Sequence, residues 1–145
     1  MITFRCAEND ADRAACRAVR AEVFIGEQNV PADLELDNLE ASCLHYLADE
    51  DGTPVAAARL LPKGARAKIQ RVCVAKSHRG TGLGADMMRF ILADAQAQGF
   101  KAAILGSQTY AIPFYEKLGF VAEGPVYLDA DIPHRDMILG FGPKS

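Results

Sequence analysis

The chain has 145 residues, of which 50% are hydrophobic and 24% charged, with a formal net charge of −3. This suits one globular domain with a sizeable core, leaves no room for a second, and argues against nucleic acid as the main partner. No apolar run approaches the ~18 residues of a membrane span, and residues 1–8 lack a basic segment followed by an apolar one, so a cytoplasmic protein free of membrane is expected.

Residues 2–5 read as a strand. Asn9 or Asp10 caps a helix to about residue 22, with Ala11, Ala14, Ala15, Ala18 and Val19 facing inward and Asp12, Arg13, Arg17 and Arg20 outward. Gly26 and Pro31 break the stretch 23–41, which predicts a loop carrying one short helix. Residues 43–48 and 55–61 predict a hairpin around Asp49-Glu50-Asp51-Gly52-Thr53-Pro54. A strand at 68–74 runs into a glycine-rich connector. A helix at 82–98 follows, with Leu83, Met87, Ile91 and Ala95 on one face beside Met88 and Leu92, and Gly99 stops it. A buried strand at 102–105, a short helix at 110–118 closed by Gly119, and two strands around 120–128 and 134–141 complete the chain. The order predicts α+β or α/β layering around one mostly antiparallel sheet, in a single domain spanning 1–145. Cys6, Cys16, Cys43 and Cys73 stand singly, without zinc or disulfide spacing, and read as reduced, buried small residues.

The connector carries the chemistry. Gly80, Gly82 and Gly84 alternate at the start of a helix, so backbone N–H groups and the positive end of the helix dipole converge on one anion, beside Arg79 and Lys76. A P-loop is excluded, because no Lys-Ser or Lys-Thr pair follows. Gly80-x-Gly82-x-x-Ala85 satisfies the relaxed dinucleotide fingerprint, but the strand at 102–105 runs into Gly106-Ser107-Gln108-Thr109 without the acid that would hold a ribose.

Charge is unevenly spread. Residues 21–58 contain nine acids and no lysine or arginine, whereas residues 59–89 contain eight bases against Asp86 alone. A basic half suits an anionic cofactor; the acidic half either steers a cationic amine or is a solvated surface.

Arg79-Gly80-x-Gly82-x-Gly84 after an apolar strand resembles the acetyl-coenzyme A pyrophosphate loop of the GNAT acetyltransferase superfamily. Gln108-x-x-Ala111-x-x-Phe114-Tyr115-x-x-x-Gly119-Phe120 resembles its downstream motif. Residues 23–28, Glu35-x-Asp37, His45, Gly124-Pro125-x-Tyr127 and Ile132-Pro133-His134-x-x-Met137 extend the likeness to the ElaA-type branch over nearly the whole chain. Gly106-Ser107-Gln108 departs from the Ala-Gln common there, with Gln108 in the expected place.

The resemblance implies a GNAT fold and acetyl transfer from acetyl-coenzyme A to a small-molecule or peptide amine, by direct attack in a ternary complex. The other class of function is a GNAT module that binds or senses acyl-coenzyme A without turnover, and a homodimer is left open. It implies cofactor contacts from the backbone at Val72, Cys73 and Val74, from Arg79, Gly80, Thr81, Gly82, Leu83 and Gly84, and from Gln108 and Tyr115. Tyr115 is the expected acid beside the sulfur. Glu27 stands with it as the candidate catalytic pair, and Glu35, Asp37, His45, His134, Asp129 and Asp131 are further candidates for the base. A nucleophilic Cys73 lacks a histidine partner in sequence. His78 reads as exposed, and Arg59 and Arg71 as pairing with buried acids. No metal ligand set is present in the sequence pattern.

Overall fold

In the computed structural model, which describes residues 1–27, 42–129 and 131–141, Asn9 opens the first helix by accepting a hydrogen bond from the Asp12 amide at 2.8 Å. Helix α1 (Asp10–Arg20) continues into a π-helical turn, Ala21–Glu27. Its buried stripe is Cys16, Val19, Arg20 and Val23, not the alanines: Ala11, Ala14 and Ala18 are exposed. The expected inward face is therefore corrected. The larger side chains at i, i+3 and i+7 remove more apolar area from water than alanines do, so they set the face.

Strand β1 (Ile2–Cys6) starts a sheet completed by β2 (Leu44–Glu50), β3 (Thr53–Lys63), β4 (Arg66–Val74), β5 (Ala102–Gln108), β6 (Val121–Asp129) and β7 (Ile132–Gly140). The strand order is β1-β2-β3-β4-β5-β7-β6, antiparallel throughout except for the parallel pair β4 and β5. The expected α+β, mostly antiparallel architecture is found. The β2–β3 turn is tighter than predicted, because Asp51 and Gly52, at φ 51° and 93°, make a two-residue left-handed turn whose twist matches the flanking strands.

Helix α2 (Leu83–Ala97) and the short α3 (Ile112–Glu116) cover one face of the sheet, and α1 covers the other. Leu83, Met87, Met88, Ile91 and Ala95 are fully buried against Leu60, Ile69 and Leu105. Cys16, Val19 and Val23 pack on Leu47, Ala57 and Cys73. Within the described residues no helix is long and apolar enough to cross a membrane.

Two irregularities shape the middle of the sheet. On β4, Arg71 and Val72 together face Ala58, since Ala57 pairs with Cys73 but Arg59 pairs with Gln70. This is a bulge, with Arg71 at φ 55°. The extra residue reverses the alternation, so Val72 and Val74 join Ile69 on the α2 side while Cys73 turns towards α1. Secondly, β4 and β5 pair only at Arg66–Ala102, Ala67–Ala103 and Lys68–Ile104, then diverge.

Candidate functional site

Beyond Lys68 and Ile104 the two parallel strands splay, and a cavity of about 210 Å³ opens between them. Its β4 wall is Lys68 to Val72 and its β5 wall is Leu105 to Gln108. Past these pairs the two edges are not bonded to each other, which leaves room for an extended guest between them.

The cavity runs through the sheet. Tyr115 enters from α3 on one face, packed edge-on against Phe114 and Phe120 at 5.0 and 5.9 Å between centroids. Its hydroxyl makes no hydrogen bond among the described residues. Burial, with a smaller contribution from Tyr110, pushes the phenol up to about 12, so it holds its proton at neutral pH. On the opposite face Gln108, His134 and Tyr127 form a row across three adjacent strands, Gln108 pairing with His134 and His134 with Tyr127. Phe24, from the turn after α1, and Asp129 complete that side.

Tyr127 is held from two directions. Its hydroxyl donates to Asp136 Oδ1 at 2.7 Å and lies against the backbone of Gly106, while its ring stacks on His134 at 6.0 Å and 24°. Burial and the Asp136 carboxylate together push its phenol well above the usual tyrosine value.

The glycine loop sits where β4 ends. Gly80 and Gly82 adopt φ 78° and 85°, and a β-carbon on either would meet open space, so conformation rather than crowding requires glycine. Gly82 caps α2. The Thr81 hydroxyl donates to the His78 carbonyl at 2.6 Å and fixes the loop, while Leu83 buries its side chain and offers only its backbone outward. Arg79 donates from Nε to the Val74 carbonyl at 3.2 Å. Gly84, in contrast, packs near Phe114 and Val74.

Several expectations change. His78 is not free at the surface: Nε2 lies 3.3 Å from Glu50 and Nδ1 2.8 Å from Ser77 Oγ. Arg71, on the bulge, lines the cavity; Arg59 is buried and donates to Gln70 at 2.9 Å. Cys73 packs on the α1 side and does not line the cavity. His45 is buried in β2 and does not line the cavity. Three acids of the acidic stretch are engaged elsewhere, Asp49 with Arg5, Glu50 with His78 and Asp51 with the N-terminus. Glu27 ends the π-helical turn, but its side chain, with Glu35 and Asp37, lies outside the described residues. Asp131, at the β6–β7 turn, is not part of the cavity wall, whereas Asp129 is. Lys68, Gln70, Ser107 and Tyr110 also line the cavity and carried no sequence signal, since the divergence of two strands is what brings them to one wall.

Comparison with known proteins follows the same lines. The family model described as Acetyltransferase (GNAT) domain matches residues 9–141. The uncharacterised N-acetyltransferase YjcF of Bacillus subtilis is 42% identical over 136 residues, covering 91% of this chain and 95% of that protein. Among solved structures, an acyl-CoA N-acyltransferase from Pseudomonas aeruginosa superposes with a TM-score of 0.86 at 32% identity, covering 95% of this chain and 99% of that one. Escherichia coli ElaA superposes with a TM-score of 0.85 at 28% identity and the same coverage.

Proposed function

This chain belongs to the GNAT acetyltransferase family and is an acyltransferase, and we propose that it transfers the acetyl group of acetyl-coenzyme A to a primary amine by direct attack in a ternary complex. The observation that carries this reading is the splayed cleft, where β4 and β5 stop pairing with each other and Tyr115, whose hydroxyl has no hydrogen bond among the described residues, lines the opening.

The residues present fit the cofactor. The amides of residues 80–84, at a loop with two left-handed glycines and a helix start, would hold the pyrophosphate beside Lys76 and Arg79. Past Lys68 the β4 edge is not paired to β5, and its backbone at Val72, Cys73 and Val74 would lie along the amide-bearing arm, with Gln108 facing it from β5. Acetyl-coenzyme A supplies the activated thioester carbonyl. Main-chain N–H groups at the bulge stabilise the negative charge that grows on the carbonyl oxygen. Tyr115 donates a hydrogen bond to the sulfur as the C–S bond breaks; a phenol at about 12 keeps its proton against a thiolate near ~8.5, so solvent completes the protonation. The acceptor enters from the α1 face, and the reaction is placed in the cytoplasm.

A second reading is a module that binds acyl-coenzyme A without turnover; the Tyr115 hydroxyl, on the cavity wall and without a hydrogen bond among the described residues, favours catalysis. Incubation with acetyl-coenzyme A alone, then with phenethylamine, spermidine or a lysine peptide, separates the two by free thiol release. Amine-dependent release is expected. Tight coenzyme A binding with release at the hydrolytic background for every amine would identify the binding module instead.

A further inference from the structure

We propose that His134 is the base of this site, taking the proton from the attacking amine through Nε2; the assignment rests on the acetyltransferase reading above. His134 Nδ1 lies 2.7 Å from the carbonyl oxygen of Ile132. A carbonyl only accepts, so Nδ1 carries the proton and the neutral ring keeps its lone pair on Nε2. Among the described residues Nε2 has no hydrogen bond, and it is not sealed from solvent. His134 is 8% exposed and lines the cavity, and its open Nε2 is assigned to that opening. Stacking on Tyr127, which Asp136 and Gly106 hold in turn, fixes the ring plane.

The opposite face supplies the complement. Tyr115 reaches the same cavity from the α3 side with a proton it keeps, while His134 reaches it from the α1 side with a lone pair. Donor and acceptor thus flank a single opening in the sheet. In the step, the neutral amine nitrogen attacks the acetyl carbon, the N–C bond forms and the C–S bond breaks with its electron pair on sulfur. The amine proton passes to Nε2. Loss of that proton to water and uptake of one by the thiolate restore both groups.

Other charged or titratable groups on this cavity are Lys68 and Arg71 on β4, Tyr110 after β5, Tyr115 on α3, and Tyr127 and Asp129 on β6, with Asp136 behind Tyr127 on β7. The test separates His134 from them. First, ring ¹⁵N NMR of the full chain without ligand should show an Nε2 resonance of the unprotonated type for His134; protonation on Nε2 with a free Nδ1 overturns the proposal. Secondly, with whichever of phenethylamine, spermidine or the lysine peptide is turned over, His134→Gln should lower kcat/KM by about 100-fold or more. Coenzyme A affinity should stay within about twofold, and Asp129→Asn should lose far less of kcat/KM than His134→Gln. Unchanged kcat/KM in His134→Gln with an active wild type removes His134 alone. An inactive wild type removes the acetyltransferase reading, and the NMR result still reports the ring.

Discussion

The Tyr127 hydroxyl occupies the place that a β-carbon on Gly106 would need. Gly106 is therefore a close-approach glycine, letting a side chain from the edge strand β6 lie over β7 and β5 and present its ring to His134.

Gly106→Ala should displace the tyrosine tip and break its 2.7 Å bond to Asp136. Because Tyr127 is 38% exposed, it can swing outward, so the melting temperature should fall by no more than about 3 °C. Acetyl transfer should fall about tenfold, the scale of ~1.4 kcal/mol in transition-state binding. Tyr127→Phe in the Gly106→Ala background removes the clashing oxygen and should restore part of that loss. A double-mutant cycle on kcat/KM measures the coupling; strict additivity would show that the two residues do not act together.

Tyr115 sets an alkaline limit on stability. Its phenol is raised to about 12 in the folded chain against about 10 unfolded, so the buried neutral form stabilises the fold fully below pH ~10 and this contribution, of order 2 kcal/mol, is lost as pH rises through ~12. Tyr115→Phe should flatten the fall in melting temperature between those values. The same variant should lower kcat while leaving the dissociation constant for coenzyme A unchanged, as measured by calorimetry.

Gly82 and Gly84 should respond oppositely to alanine. At φ 85° Gly82→Ala forces a left-handed alanine and costs about 1–2 kcal/mol, whereas Gly84→Ala meets Phe114 at 3.5 Å and Val74 at 3.6 Å, ordinary contacts, and gains helix propensity. Thermal melts of the two variants check this: Gly82→Ala should melt several degrees lower, and equal melting temperatures would contradict the loop geometry.

Lys76→Gln with Arg79→Gln should weaken coenzyme A binding most at low salt. Both cations are exposed, so their attraction for the pyrophosphate is screened, and the gap between variant and wild type should close near 1 M salt. Titrations at two ionic strengths suffice.

At the other end of the sheet, Arg5 bonds Asp12 at 2.9 Å and also Asp49. Hydrogen bonding from Arg5 holds the Asp12 carboxyl below its ordinary value. A depressed carboxyl stabilises the fold above the unfolded value and loses that contribution as pH falls through the folded one. Asp12→Asn should therefore reduce the steepness of acid unfolding below pH ~4, followed by circular dichroism.

Local chemistry was legible in the sequence wherever one short segment carries it. Alternate glycines at a helix start require left-handed backbone, Asn9 supplies its own cap, and the 3.6-residue apolar repeat of 82–98 faces one layer; each depends on neighbours a few residues away. The Tyr115 motif was equally local. By these means the mixed sheet, the glycine loop and the family could all be read from the chain.

Tertiary structure decided the rest. One inserted residue at Arg71 flips Cys73 to the α1 side, and no periodicity reports it in advance, because register is settled by how β3 and β4 pack. The divergence of β4 from β5 puts Lys68, Gln70 and Ser107 on a cavity wall, residues with no pattern of their own. His134 was one candidate among seven until strand pairing set it between Gln108 and Tyr127, with Nδ1 bound and the residue on the cavity wall. Sequence determines which conformations and charges each segment brings, since these follow from covalent chemistry; only long-range pairing determines which atoms meet across a cleft, since those atoms lie far apart along the chain, as Phe24 and His134 do.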